Sequence, residues 1–388
     1  RFIRTRMQDG INMSAQKKPR ARDLGLLFDG VTGQYNAITD VPGVEVGFHT
    51  LKRGEGELQI GKGPVLTGVT AILPRGKAEK NLPVWAGHFN LNGNGEMTGT
   101  HWINEAGYFA SPICITNTHS VGLVHHATVG WMVEQYKSMF QDDHAWAMPV
   151  IAETYDGLTS DICGRHITEQ DVLTALNGAE SGPVAEGNVG GGAGMQTYEF
   201  KGGTGTASRV INIQGTTYTT AALVQSNFGV RHELNILGVP VGKHLTENAL
   251  LTELVGHEQG SIIVIIATDA PMLPVQLQRL AKRGAIGIAR TGTSGGHYSG
   301  DIMLAFSVAN QLEFPNQNGQ YPTSYKMEFI NDHFCEDIYS AAVQAVEEAV
   351  INAMIAAETV PTVKPPGYTL DAIDHDQLME LMKQYNRL

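Results

Sequence analysis

Residues 262–267, "IIVIIA", form an unbroken apolar run of strand length. Such a run is stable only when it is buried, and here it reads as a core strand. The two residues before it, Gly260 and Ser261, separate it from a charged loop in a single step. Strands usually fade into turns through several polar residues, so a hydroxyl at this threshold calls for a reason. A serine hydroxyl is a poor nucleophile unless a base lies beside it. A chain break before Ser261 supplies one, because the freed α-amino group has a pKa of about 7.7–8.0 and is partly neutral near physiological pH. Such a break can be autocatalytic, by attack of the Ser261 hydroxyl on the Gly260 carbonyl and hydrolysis of the resulting ester. Glycine suits that scissile position, having no Cβ to oppose a strained backbone. From spacing alone two readings stay open: a nucleophile made by cleavage, or a serine that hydrogen-bonds at a strand start.

The rest of the chain supplies elements to bury this strand. Segments 37–50, 69–76, 111–118, 147–157, 209–213, 218–229 and 301–310 read as further strands, several running into turns. Helical spacing marks 121–136, capped by Ser120, and 167–179, opened by Thr168 and closed by Gly178. It also marks 274–284, stopped by Gly284, then about 332–358 and about 374–385. Strands and helices mix without a strict βαβ rhythm, which predicts an α+β layered fold. No linker divides the chain, so residues 20–388 are expected to form a single domain behind a solvated N-terminal arm, 1–19. That arm carries the start of the basic cluster "KKPRARD", and Met7 and Met13 within it are candidate start residues.

Composition removes several classes of function. A hydrophobic content of 42% is enough for a substantial core, while a formal charge of −12 leaves no basic excess to neutralise phosphates, so no nucleic-acid partner is expected. Cys114, Cys163 and Cys335 are odd in number and widely spaced, which suits a reducing compartment and gives no zinc pattern. No apolar stretch reaches about 18 residues and no secretory apolar core opens the chain, so a cytoplasmic protein with no membrane partner is expected. "EGNVGGGAGM" (186–195) lacks G-x-G-x-x-G spacing, and "GVPVGKH" (238–244) misses the P-loop by one residue and by its magnesium-binding hydroxyl. No H-E-x-x-H and no G-x-S-x-G occurs, so neither a metal nor an organic cofactor is expected.

Several ordered motifs carry a family resemblance. "RARDLGLLFDGVTGQYNAITDVPGVEVGFHT", "GTHWINEAG", "PVIAETYDG", "EGNVGGGAGM", "LVQSNFG", "GSIIVIIATDAP" and "SGDIMLAFS" together cover almost all of the chain from about Arg20. In these the chain resembles the DmpA-type L-aminopeptidase/D-Ala-esterase/amidases and the related β-peptidyl aminopeptidases. The resemblance implies a four-layer αββα sandwich, related in look to the N-terminal nucleophile hydrolases and shared with ornithine acetyltransferases. It also implies self-cleavage at Gly260–Ser261 into an α chain, 1–260, and a β chain, 261–388, with αβ pairs assembling as a homo-oligomer, commonly a tetramer.

The same resemblance assigns roles. Ser261 becomes the nucleophile, with its own amine as base. Asn227 supplies an amide for the oxyanion, where a donor removes roughly 3–4 kcal/mol of barrier. Ser299 and Asp301 match the serine and acid that support the hydroxyl and amine of the nucleophile, and strand alternation turns both to one side. Asp301 stands where the family has glutamate, which shortens the acid's reach by about 1.5 Å. Glu153 and Tyr155 match the substrate-binding pair: a carboxylate for a free ammonium through a charge-assisted hydrogen bond, and a phenol lining the pocket. Trp146 is a candidate apolar wall or a core residue. The implied activity is release of N-terminal β-amino, L- or D-alanyl residues from short peptides, amides and esters with a free N-terminus. Two alternatives remain: an acyltransferase of the ornithine-acetyltransferase type, which uses threonine, and an uncleaved, non-catalytic binding protein on the same fold.

Overall fold

In the computed structural model, residues 18–254, 260–311 and 322–388 are described. Most of the arm expected at 1–19 lies outside them. Its neighbour Arg20 is firmly held, its guanidinium donating to Glu186 and to the carbonyls of Tyr35, Asn36 and Thr206.

Two sheets form the centre. One has the order β1-β2-β5-β6, built from Glu45–Arg53, Val65–Leu73, Ile113–Asn117 and Val150–Thr154. The other has the order β4-β3-β12-β11-β10-β9, built from Tyr108–Phe109, Val84–Asn90, Gly300–Ser307, Ser261–Thr268, Thr216–Asn227 and Gly203–Ile213. Two small ribbons pair β7 (Gln196–Thr197) with β8 (Phe200–Lys201) and β13 (Val360–Val363) with β14 (Pro366–Leu370). The helices are α1 (Thr100–Ala106), α2 (Val121–Gln135), α3 (Lys137–Asp142), α4 (Glu169–Asn177), α5 (Leu250–Leu254), α6 (Pro274–Arg290), α7 (Cys335–Ile355) and α8 (His375–Gln384).

The apolar run on β11 explains the layering. Ile262, Val264 and Ile266 join a core with Leu277, Leu280, Ile338 and Val346 of α6 and α7. Ile263, Ile265 and Ala267 point the other way, into a core with Ile72, Ile115 and Ala152 of the four-stranded sheet. That sheet's outer face, through Ala71, Cys114 and Ile151, packs on α2 and α4 through Val124, Trp131, Val172 and Leu176. Three stacked cores between helices, sheet, sheet and helices make the four-layer α+β sandwich. Each fully buried Ile, Leu or Val contributes about 1.5–3 kcal/mol, so a strand apolar on both faces can be satisfied only between two layers.

Two local expectations change. Helix α6 does not stop at Gly284 but runs to Arg290. A Cβ at Gly284 would lie 2.8 Å from Met303 Cγ, so this glycine lets the helix approach the sheet and does not end it. Ser120 occupies the N-cap of α2 without a side-chain capping bond, because residues 118–120 already form a 3₁₀ turn leading into the helix. The glycines at 190–192 form another such turn, and a Cβ on Gly191 would meet the Ile115 carbonyl at 2.5 Å. Close packing accounts for that glycine run.

Candidate active site

Ser261 is the first residue of β11 and is held by register on both sides. It pairs with Asn227 at the end of β10 and with Gly300 at the start of β12. Its hydroxyl donates to the Gly260 carbonyl at 2.6 Å and accepts from the Gly300 N–H at 3.2 Å. The residue before it has no room for a side chain, since a Cβ on Gly260 would run into the Asn227 carbonyl oxygen. The tight approach of this loop to β10 therefore requires glycine, a reason distinct from backbone strain.

Asn227 lies directly opposite Ser261 and is 2% exposed. Its side-chain oxygen accepts from the Gln196 N–H at 2.9 Å, and its amide donates to the Tyr155 carbonyl at 3.2 Å. A primary amide carries two hydrogens, so the Tyr155 bond fixes its orientation without exhausting its donors.

Ser299 and Asp301 face one side together, and the Ser299 hydroxyl donates to Asp301 Oδ1 at 2.6 Å. Because Ser261 is level with Gly300, this pair straddles it on the neighbouring strand. Alternation turns the pair toward the helical side, while Ser261 shares the face of Ile263 and Ile265. The side-chain bonds of the acid consequently run to Ser299 and Asn92 and not to the Ser261 hydroxyl. Burial pushes the Asp301 carboxyl up, opposed by the bonds from Ser299 and Asn92.

Glu153 reaches the site from the other sheet. It is 4% exposed, accepts the Glu96 N–H at 2.9 Å and accepts a further bond from the Thr118 hydroxyl. Burial raises its carboxyl above the ordinary range, the Thr118 and Glu96 bonds pull it down, and the neighbouring Glu96 charge pushes it up again. Tyr155 is half exposed, with its phenol lying across Gly157, where a Cβ would collide with the hydroxyl oxygen.

Gly260, Ser261, Glu153 and Tyr155 line one pocket of about 780 Å³, joined by Asn94, Glu96, Thr118 and Tyr298. Trp146 is not among its lining residues. It is 59% exposed and borders a separate small cleft with Trp102, Tyr108 and Met148, so within one chain the apolar-wall expectation fails. Residues 91–98, which deliver Asn92, Asn94 and Glu96 to the site, escape motif reading. The signal available is the turn-rich "NGNG" directly after a strand, which marks a change of direction but not its destination.

The pocket thus joins a hydroxyl at a strand start with a buried acid suited to an ammonium, and an oriented amide lies opposite that hydroxyl on β10. A family model for peptidase family S58 matches residues 36–365. The chain belongs to peptidase family S58. Two β-peptidyl aminopeptidases are similar over nearly their whole length. The one from Sphingosinicella microcystinivorans is 51% identical, covering 95% of this chain and 93% of the relative. The one from Sphingosinicella xenopeptidilytica is 42% identical, covering 94% and 91%. Among solved structures, the L-aminopeptidase D-Ala-esterase/amidase of Ochrobactrum anthropi, described as a prototype of the serine aminopeptidases and a variant of the Ntn hydrolase fold, superposes with a TM-score of 0.90. It is 54% identical, with 96% of this chain and all of that chain covered. This S58 chain is accordingly an aminopeptidase with an Ntn-hydrolase-like α+β fold. No helix among the described residues is long and apolar enough to cross a membrane.

Proposed function

We propose that this aminopeptidase cuts its own Gly260–Ser261 bond and then uses Ser261 as an N-terminal nucleophile. The observation carrying the reading is the Ser261 hydroxyl, 2.6 Å from the Gly260 carbonyl oxygen, at the wall of the pocket that Glu153 also lines. In self-cleavage Ser261 Oγ adds to the Gly260 carbonyl carbon, the C–N bond breaks, and the departing amine of residue 261 takes up the hydroxyl proton. Water then hydrolyses the ester, leaving the Gly260 carboxylate, a free hydroxyl and a free α-amine.

In turnover that amine accepts the proton of Ser261 Oγ as it attacks the substrate carbonyl. The Asn227 amide stabilises the developing oxyanion and Tyr155 borders it, while Glu153 holds the substrate ammonium by a charge-assisted hydrogen bond. The leaving amine or alcohol departs with the proton, and water deacylates Ser261. Ser299 and Asp301, on either side of the level of Ser261, keep the amine oriented. The names of the relatives, β-peptidyl aminopeptidase and L-aminopeptidase D-Ala-esterase/amidase, support a reading in which N-terminal β-amino, L- or D-alanyl residues are released from short peptides, amides and esters. A single catalytic domain of two chains, a tetramer of αβ pairs and a cytoplasmic location belong to the same reading. Buried, unpaired Cys114 and Cys335 support a reducing compartment.

The test is denaturing mass spectrometry of wild type and Ser261→Ala, with hydrolysis of β-alanyl and alanyl p-nitroanilide. Wild type is expected as two chains, the smaller beginning at Ser261, and the variant as one inactive chain. A variant that still splits and turns over removes Ser261 from the mechanism. A wild type that stays whole and inactive supports the uncleaved binding protein.

A further inference from the structure

Residues 91–96, "LNGNGE", cross from the six-stranded sheet to the four-stranded one. The Leu91 N–H donates to the Asp301 carbonyl at 3.0 Å, and the Asn94 N–H to the Ser299 carbonyl at 3.1 Å. Two residues on, the Glu96 N–H reaches Glu153, and Met97 bridges to Ala152 of β6. Within this strap Asn92 makes a reciprocal contact. Its side-chain oxygen receives the Asp301 N–H at 2.6 Å, taking the place of a further residue of β3. Its amide donates to Asp301 Oδ2 at 2.9 Å and to the Gly296 carbonyl at 3.0 Å.

We propose that Asn92 is a positioning residue of the peptidase reaction, clamping Asp301 at its backbone and its far oxygen so that the Ser299–Asp301 pair keeps its place on either side of the level of Ser261. The inference rests on the roles given above to Ser261 and Asp301. A carboxylate on a one-carbon stem, held at its own N–H, at Oδ2 by Asn92 and at Oδ1 by Ser299, has a single orientation left. Asp301 forms no ion pair among the described residues, so its charge is stabilised by hydrogen-bond donors, of which Asn92 is one. Burial and the bonds from Ser299 and Asn92 set the Asp301 carboxyl, while Tyr298, Glu153 and Glu96 line the pocket beside Ser261.

The experiment compares Asn92→Ala, Asn92→Asp, Asp301→Asn and the double variant Asn92→Ala/Asp301→Asn. Rates are normalised to the two-chain form counted by mass spectrometry. Loss of a hydrogen bond to a charged group is expected to lower the kcat of Asn92→Ala about tenfold to a hundredfold, with KM nearly unchanged, since Glu153 is held by a different residue of the strap. Removing a donor to the charged form raises the acid's pKa, so the acid limb of kcat/KM moves to higher pH. Asn92→Asp, which sets a second carboxylate against the first, moves it further. In the Asp301→Asn background Asn92→Ala is expected to cost nothing more. A wild-type kcat and pH profile in Asn92→Ala overturns the inference, as does an equal loss with and without Asp301. If Asn92→Ala does not fold, Asn92→Ser is read by the same criteria. An active Ser261→Ala would instead bring down the nucleophile assignment, so the two failures are distinguishable.

Discussion

Glu348 on α7 and the pair Glu153 and Asp301 at the pocket are all buried acids, and the protein treats them in opposite ways. Glu348 is fully buried, and its two oxygens accept from the guanidiniums of Arg22 and Arg209 and from the Asn36 amide. Burial alone pushes its carboxyl up, but the two guanidiniums outweigh it and hold it below the ordinary 4.5. Glu153 and Asp301 receive only neutral donors and form no ion pair among the described residues, so burial wins and both carboxyls are raised. For Glu348 the fold brings its own cations. In the proposed reaction the acids at the site meet cations that come from elsewhere: the substrate ammonium for Glu153, and the amine released at Ser261 for Asp301.

Breaking this contrast is most costly on the scaffold side. Glu348→Gln leaves Arg209, 1% exposed, without its charge partner. Stranding a buried charge costs about 3–5 kcal/mol, expected as a large fall in denaturant midpoint, with activity per folded molecule unchanged. An unchanged midpoint would show that Arg209 is satisfied by its carbonyl contacts alone. On the site side the pattern inverts. Glu153→Gln is expected to lower kcat/KM by about tenfold to a hundredfold through KM, the equivalent of about 1.5–3 kcal/mol for a charged hydrogen bond, with no loss of stability. Should stability fall and kcat/KM hold, Glu153 would be scaffold and the contrast void.

The smallest effect is one of pH, and it sharpens the contrast without mutation. A lowered carboxyl pKa gives stability that is present above the unfolded value of 4.5 and lost as pH falls through the still lower folded value, so the Glu348 cluster survives mild acid. The raised carboxyls of Glu153 and Asp301 take up protons above their ordinary 4.5 and 3.8. On acidification kcat/KM is therefore expected to fall while the far-ultraviolet circular dichroism is still native. Coincident loss of both would place the site acids and the scaffold acid in the same class.

The apolar run behind Gly260–Ser261 makes a strand buried on both faces legible from residue types alone, and motif order carries the reading as far as Ser261, Asn227, Ser299, Asp301, Glu153 and Tyr155. Trp146 and the end of α6 escape such reading for one reason. Local spacing cannot say whether an exposed tryptophan borders the pocket or a cleft beside it, or whether Gly284 ends a helix or lets it lie close to Met303.

What the sequence determined by itself is what travels as a contiguous motif: the unbroken apolar run of 262–267, the Gly-Ser step and the spacing of Ser299 and Asp301. Tertiary structure alone decided which face of β12 the acid takes, that Glu153 arrives from a second sheet, and that Asn92, 209 residues from Asp301, closes on it. Those pairings depend on the register of strands brought together across long separations. No local preference encodes register; the hydrogen bonds and cores that form only when all four layers are assembled select it.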